Sequence, residues 1–357
     1  MSGVIRGYWS KKKGGGNTPA EPFLSFSSFG SLGTGARKWS GGALASNGFI
    51  YCCPSNSSTV LKIDPSTDTI STFGSVGGSS DKWSGAILAP NGKIYCAPLL
   101  QSSILIIDPT TDTTSTVASS SNYISGVLAP NGCIYFIPWS GTSILKIDTA
   151  TDTVSNFGSL SGSIKWWGAA LAPNGKIYCA PSNSSTILEI DPSTDTVRTF
   201  GSLSGSTKYF GAVLGADDLV YFSHHSQTQF RQLNPNSDAT AAVGTTFGSL
   251  IRGLGSAMDF ESNIYSPPNN STFLTWYNTS LNTGGNFDLS SYISTTDPLR
   301  GCCFSQNGDL YMIPSSASVI VRATGFPSLT ASDYTMPVNL SADLASSNYN
   351  KLFNKSH

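Results

Sequence analysis

Basic and aromatic residues stand side by side at recurring intervals in this chain. The pairs and triplets are Lys38-Trp39, Lys82-Trp83, Lys165-Trp166-Trp167 and Lys208-Tyr209-Phe210, with Tyr123 in the corresponding place between the second and third. Flat aromatic rings stack on sugar rings or on partner side chains, and a cation can sit over a ring face. These residues are therefore a candidate rim for binding a glycan or a protein. The same pattern has a purely architectural reading, in which each Trp packs between repeats and each Lys is solvated.

The carboxylates are not arranged for catalysis. Only three Glu occur (Glu21, Glu189, Glu261), and eight of the Asp lie in one repeated turn: Asp64, Asp68, Asp108, Asp112, Asp148, Asp152, Asp191 and Asp195. A glycosidase needs two carboxylates flanking one bond, and most carboxylates here fall at the hairpin end of their repeat, away from the aromatic rim. His224 and His225 are adjacent on a strand and so point to opposite faces, which argues against a shared metal. No G-x-S-x-G, phosphate-binding loop or H-E-x-x-H motif is present. The repeated Asp turns could offer oxygen to Ca²⁺, but hairpin stabilisation accounts for them without an ion. The expectation is a non-enzymatic protein with no metal and no cofactor; a carbohydrate-active enzyme is the minor alternative.

What positions the rim is a repeat. Seven tyrosines recur in apolar cores, Tyr51, Tyr95, Tyr135, Tyr178, Tyr221, Tyr265 and Tyr311, each about ten residues after a glycine: Gly41, Gly85, Gly126, Gly168, Gly211, Gly255 and Gly301. A strand-built repeat of about 40–46 residues is a β-propeller blade. The fourth copy shows the strands: small residues from Gly168, a turn at Asn174-Gly175 suited to positive φ, a second strand to Ala180 stopped by Pro181, a third over Ile187 to Ile190, and a fourth over Val197 to Phe200. Outer-strand signatures fall at Phe29, Phe73, Val117, Phe157, Phe200, Phe247 and Phe287. The first precedes any complete blade, and the last blade shows three strands. The fold expected is all-β: a seven-bladed β-propeller of four-stranded antiparallel blades, with the N-terminal strand completing the last blade and leaving no open edge. Residues 1–22 form an N-terminal extension, 23–326 the propeller and 327–357 a C-terminal tail. Blades five and six are degenerate, with Asp217-Asp218 and Ser262-Asn263 in place of Asn-Gly, through drift or because they form a docking surface.

Charged residues make up 11% of the 357, and the net charge is −1. That balance gives no electrostatic ground for a nucleic-acid or anionic-membrane partner. No apolar stretch reaches the length of a membrane-spanning helix. The leader Met1 to Asn17 has Lys11, Lys12, Lys13 and a Gly run but no apolar secretory segment, so folding in a cytosol is expected. The seven cysteines, Cys52, Cys53, Cys96, Cys133, Cys179, Cys302 and Cys303, are an odd number at strand positions and read as small buried hydrophobes.

The phrases Ile144-Leu145-Lys146-Ile147-Asp148-Thr149-Ala150-Thr151-Asp152-Thr153-Val154 and Leu171 to Tyr178 (LAPNGKIY) resemble YVTN-type and NHL-like propeller repeats over roughly residues 23–325. Lactonases of this kind hold metal with acidic residues in the central channel, a pattern the small inner strands here do not repeat. Similar repeats occur in bacterial surface proteins and bacteriophage structural proteins. The resemblance implies a virion structural or adhesion protein, such as a phage tail fibre, tail-associated or capsid-decorating propeller. Such a protein would fold in the host cytoplasm and bind other virion proteins and a host-surface glycan. A bacterial surface or intracellular interaction propeller is the alternative.

Overall fold

The computed structural model describes residues 22–248, 252–296 and 299–326. The leader before residue 22 and the tail after residue 326 lie outside that range. Twenty-eight strands form seven four-stranded antiparallel sheets. Blade 4 comprises Trp166–Leu171, Ile177–Pro181, Ile187–Asp191 and Thr196–Phe200; the first strand begins two residues before the expected Gly168, and the other three match the expected bounds within one residue. The first strands of neighbouring blades touch one another around the ring, so they are the innermost.

Closure is as the repeat count requires. Ser25–Phe29 pairs antiparallel with Ile320–Thr324, from Ser25 opposite Thr324 to Phe29 opposite Ile320. This strand also completes a side-chain pattern. The outer-strand Phe of a regular blade meets the repeat Tyr edge-on, as Phe73 does Tyr51 at 5.9 Å and Phe200 does Tyr178 at 6.2 Å. In blade 7 that Phe comes from the N-terminus: Phe29 meets Tyr311 at 6.1 Å.

Glycine on the inner strands is steric. A Cβ on Gly41 would fall 2.7 Å from Gly85 Cα, and one on Gly168 would fall 2.8 Å from Gly211 Cα. Backbones this close leave no room for a side chain. In blade 3 the residue at this contact is Ser125, one position before the expected Gly126. Gly85 faces Ser125 Cα, and Ser125 Oγ donates to Trp167 O at 2.6 Å. A second correction concerns blade 5, whose outer strand is Thr240–Val243. Phe247 lies beyond it and is buried against His224 and Phe230.

Turns joining first to second and third to fourth strands form one face of the torus, here the hairpin face. The repeated Asp pair divides its labour there. In blade 1, Asp64 Oδ1 accepts from Ser66 N, while Asp68 sits at φ 53°. The second Asp of each such turn reaches the preceding blade. Tyr51 OH donates to Asp112 Oδ1 at 2.8 Å, Tyr95 OH to Asp152 at 2.6 Å and Tyr311 OH to Asp68 at 2.9 Å. Lys62 adds an ion pair to Asp112 at 2.6 Å. These contacts latch blade to blade. All seven cysteines are buried and free.

Candidate binding face

The opposite face carries the loops between second and third strands and the loops that run from one blade's outer strand to the next blade's inner strand. The four lysines singled out above sit here, and none is solvated. Lys38, Lys82, Lys165 and Lys208 are 8, 1, 2 and 1% exposed. Each ammonium is caged by backbone carbonyls from two loops. Lys165 Nζ donates to Gly141 O at 2.6 Å and Gly162 O at 2.9 Å, and Lys208 Nζ to Ser182 O and Gly205 O at 2.8 Å. Lys82 bridges Ser57 O and Ser79 O, and Lys38 meets four carbonyls, two of them in blade 7 (Ser316 and Ala317). Burial lowers the proton affinity of all four. The residue before each lysine, Arg37, Asp81, Ile164 or Thr207, has φ between 47° and 54°. That conformation is costly for Ile and Thr, and the carbonyl cage holds it in place.

The aromatic residue after each lysine is likewise internal. Trp39, Trp83 and Trp166 are 3–4% exposed. Their indole N–H groups donate to Thr59 O, Ser103 O and Thr186 O at 2.9, 2.6 and 2.8 Å. Tyr123 is 1% exposed, and Tyr209, 3% exposed, accepts from Arg231 Nε at 3.1 Å. The expectation of solvated lysines is therefore corrected: these side chains join blades. The signal missed was glycine and serine density beside each lysine, which gives tight loops whose carbonyls point inward.

One triplet member differs. Trp167 is partly exposed and follows the buried Trp166 at the loop-face end of its strand. It stacks on Phe210 of the next blade at 4.1 Å and 11° between planes. Phe210 stacks in turn on His225 at 3.8 Å and 23°. His224 turns the other way, onto Phe247 at 4.5 Å. Burial, then the charge of Arg252, holds the His225 imidazole down to about 4, against an opposing contact from Asn269; Arg300 pushes the same way as Arg252. In the register of the regular blades, His224 and His225 replace a Pro-Ser pair such as Pro181-Ser182.

Carboxylates are scarce on the loop face, whereas on the hairpin face they pair with Lys62, Lys146, Arg198 and Arg322. The loop face carries Arg37, Lys38, Lys82, Lys165, Lys208, Arg252 and Arg300, against Asp81 and Asp288 among the described residues. Asp81 pairs with Arg37 at 3.0 Å, and Asp288 accepts from Thr272 Oγ1 and Ser290 N. The repeated-turn carboxylates lie on the other face. Among the described residues, no three His, Cys, Asp or Glu converge as metal ligands, and no helix is long and apolar enough to cross a membrane.

Ring, closure and buried tie-lysines define a seven-bladed propeller repeat protein. Residues 108–257 match a repeat of unknown function (DUF6923). No curated protein sequence matches the chain. Among solved structures it is similar to a streptogramin B lyase, with TM-score 0.73 and 15% identity over 84% of this chain and 97% of that one. A virginiamycin B lyase from Staphylococcus aureus, catalytically inactive and bound to quinupristin, gives 0.72 and 13% over 85% and 99%. The extracellular domain of a hybrid two-component system from B. thetaiotaomicron gives 0.64 and 12% over 85% of this chain and 41% of that one. At these identities the likeness concerns the fold alone.

Proposed function

We propose that this chain is a non-enzymatic binding propeller that meets its partner with the loop face, at the mouth of the central channel where Trp167 stands. The observation that carries this reading is the contrast within one triplet. Lys165 and Trp166 are consumed by the fold, whereas Trp167 offers a ring to solvent and is braced by Phe210 and His225. A stacked, partly exposed Trp backed by buried aromatics is the kind of rigid anchor that dominates binding energy. The carboxylates on this face support a non-catalytic role, since Asp81 is held by Arg37 and Asp288 by Thr272 and Ser290.

The setting proposed is a virion, in which the propeller is a structural or adhesive component whose partners are other virion proteins and a host-surface glycan. The low charge and the resemblance of the repeats to bacteriophage structural proteins support it. Two experiments test the proposal. A glycan array probed with the full chain and with Trp167→Ala should show binding that the substitution removes; equal binding by both removes the loop-face assignment. Mass spectrometry of purified virions should find the chain, and its absence there leaves a binding propeller with no particle attached.

A further inference from the structure

One register position on the loop face concentrates unpaired polar atoms. It is the residue after each second strand: Ser55, Leu99, Trp139, Ser182, His225 and Ser315 in blades 1 to 5 and 7. Apart from the apolar Leu99, and from His225, whose imidazole meets Asn269, each of these has a buried atom without a hydrogen-bond partner among the described residues: Ser55 Oγ, Trp139 Nε1, Ser182 Oγ and Ser315 Oγ. The serines are 0–1% exposed and His225 is 6% exposed. A buried polar group without a partner is costly, so such groups are rare and call for an explanation. Four at one structural position are a feature of the ring.

The position lies at the channel mouth, beside the loop-face ends of the inner strands. His225 stacks on the inner-strand residue Phe210, which stacks on Trp167. The inner-strand residues Ser40 and Ser84 join through their hydroxyls at 2.9 Å. Arg252 borders the same residues: the next residue, Gly253, donates its N–H to His224 O at 3.2 Å, and Asn269 N donates to Arg252 O at 2.8 Å. The mouth therefore combines a partly exposed aromatic face with the guanidinium group of Arg252. Hydroxyls and guanidinium groups meet carboxylate oxygens, and an indole face meets the C–H face of a pyranose.

We infer that the mouth takes a carboxylate-bearing residue of an acidic saccharide, a uronate or a sialate. Its ring lies on Trp167 and its carboxylate is turned toward Arg252. This rests on the loop face being the binding face, and adds the charge of the ligand.

Titration calorimetry on the full chain at low salt decides it. The probes are 3′-sialyllactose against lactose, and tetragalacturonate against its methyl ester. The charged member of at least one pair should bind about tenfold tighter than its neutral partner. Arg252→Gln should weaken that binding about fivefold and Trp167→Ala about tenfold, with melting temperatures held. Raised salt should weaken it further. Charged and neutral members binding equally, both weakened by Trp167→Ala, overturn the acidic ligand and leave the loop-face reading standing. Charged probes binding Trp167→Ala as well as the wild type overturn both. No binding of any probe to the wild type overturns the acidic ligand, and the glycan array then decides the loop face alone.

Discussion

Blades 1 to 4 and blade 7 solve the problem of holding a ring together in one way, and blades 5 and 6 in another. In the regular blades the repeat Tyr reaches across to the next blade, where it donates to a turn carbonyl or to the turn's second Asp. In blades 5 and 6 it stays at home: Tyr221 OH donates to Asp217 at 2.7 Å and Tyr265 OH to Asp259 at 2.9 Å. These acids stand in the turn that carries Asn-Gly elsewhere. The interface after blade 5 relies instead on ring contacts, with Phe230 stacked on Tyr277 at 5.3 Å and Tyr221 packed on Tyr277 at 5.7 Å. The blades that gave up the latch border the channel-mouth aromatics and supply Phe210, His225 and Arg252. Departure from the repeat thus coincides with the surface that differs from the rest of the rim.

Four experiments press on that contrast. The largest effect is expected from Trp166→Ala, which removes a buried ring and strands Thr186 O; a loss of about 3–5 kcal/mol is typical for such a change, readable from urea denaturation. Next is His225→Phe, which keeps the stack but removes the titrating group. The folded-state affinity of His225 for a proton is depressed to about 4. The unfolded chain takes that proton near pH 6.5, so stability is lost as pH falls from about 6.5 to about 4. At roughly 1.4 kcal/mol per pH unit, the difference approaches about 3 kcal/mol at pH 4. The variant should therefore gain on the wild type as pH falls, and parallel pH curves would refute this.

A smaller effect separates the two kinds of junction. A double-mutant cycle on Tyr51→Phe and Asp112→Asn should return a coupling of about 1 kcal/mol across blades. The corresponding cycle on Tyr221→Phe and Asn282→Ala should return close to none, because Tyr221 bonds within its own blade. Similar couplings in both would erase the distinction. The smallest stability change, about 1 kcal/mol or less, is expected for Trp167→Ala, next to the residue with the largest.

Much of the architecture was legible because steric and turn chemistry repeat in the letters. Asn-Gly, the Asp-Pro turns and the small inner strands each have one cheap conformation, and seven copies gave blade count and closure together. Register was less legible in blade 3, where Ser125 and not Gly126 meets its neighbour, because a lone hydroxyl can turn aside and bond to Trp167 O. The rim was half-legible. The Lys-aromatic spacing marked loops that share one face, but the letters do not say whether a lysine faces water or a cage of carbonyls. That depends on left-handed residues such as Ile164 and Thr207, which composition would not suggest. The serines at Ser55, Ser182 and Ser315 share a Pro-Ser dipeptide after the second strand, but the letters do not say that their hydroxyls are buried without partners.

The most direct test compares adjacent residues in one protein: binding and melting temperature measured together for Trp166→Ala and Trp167→Ala. The account predicts that Trp167→Ala binds its saccharide about tenfold more weakly at an almost unchanged melting temperature, while Trp166→Ala melts far lower. A Trp167→Ala protein that melts normally and binds as tightly as the wild type would contradict it.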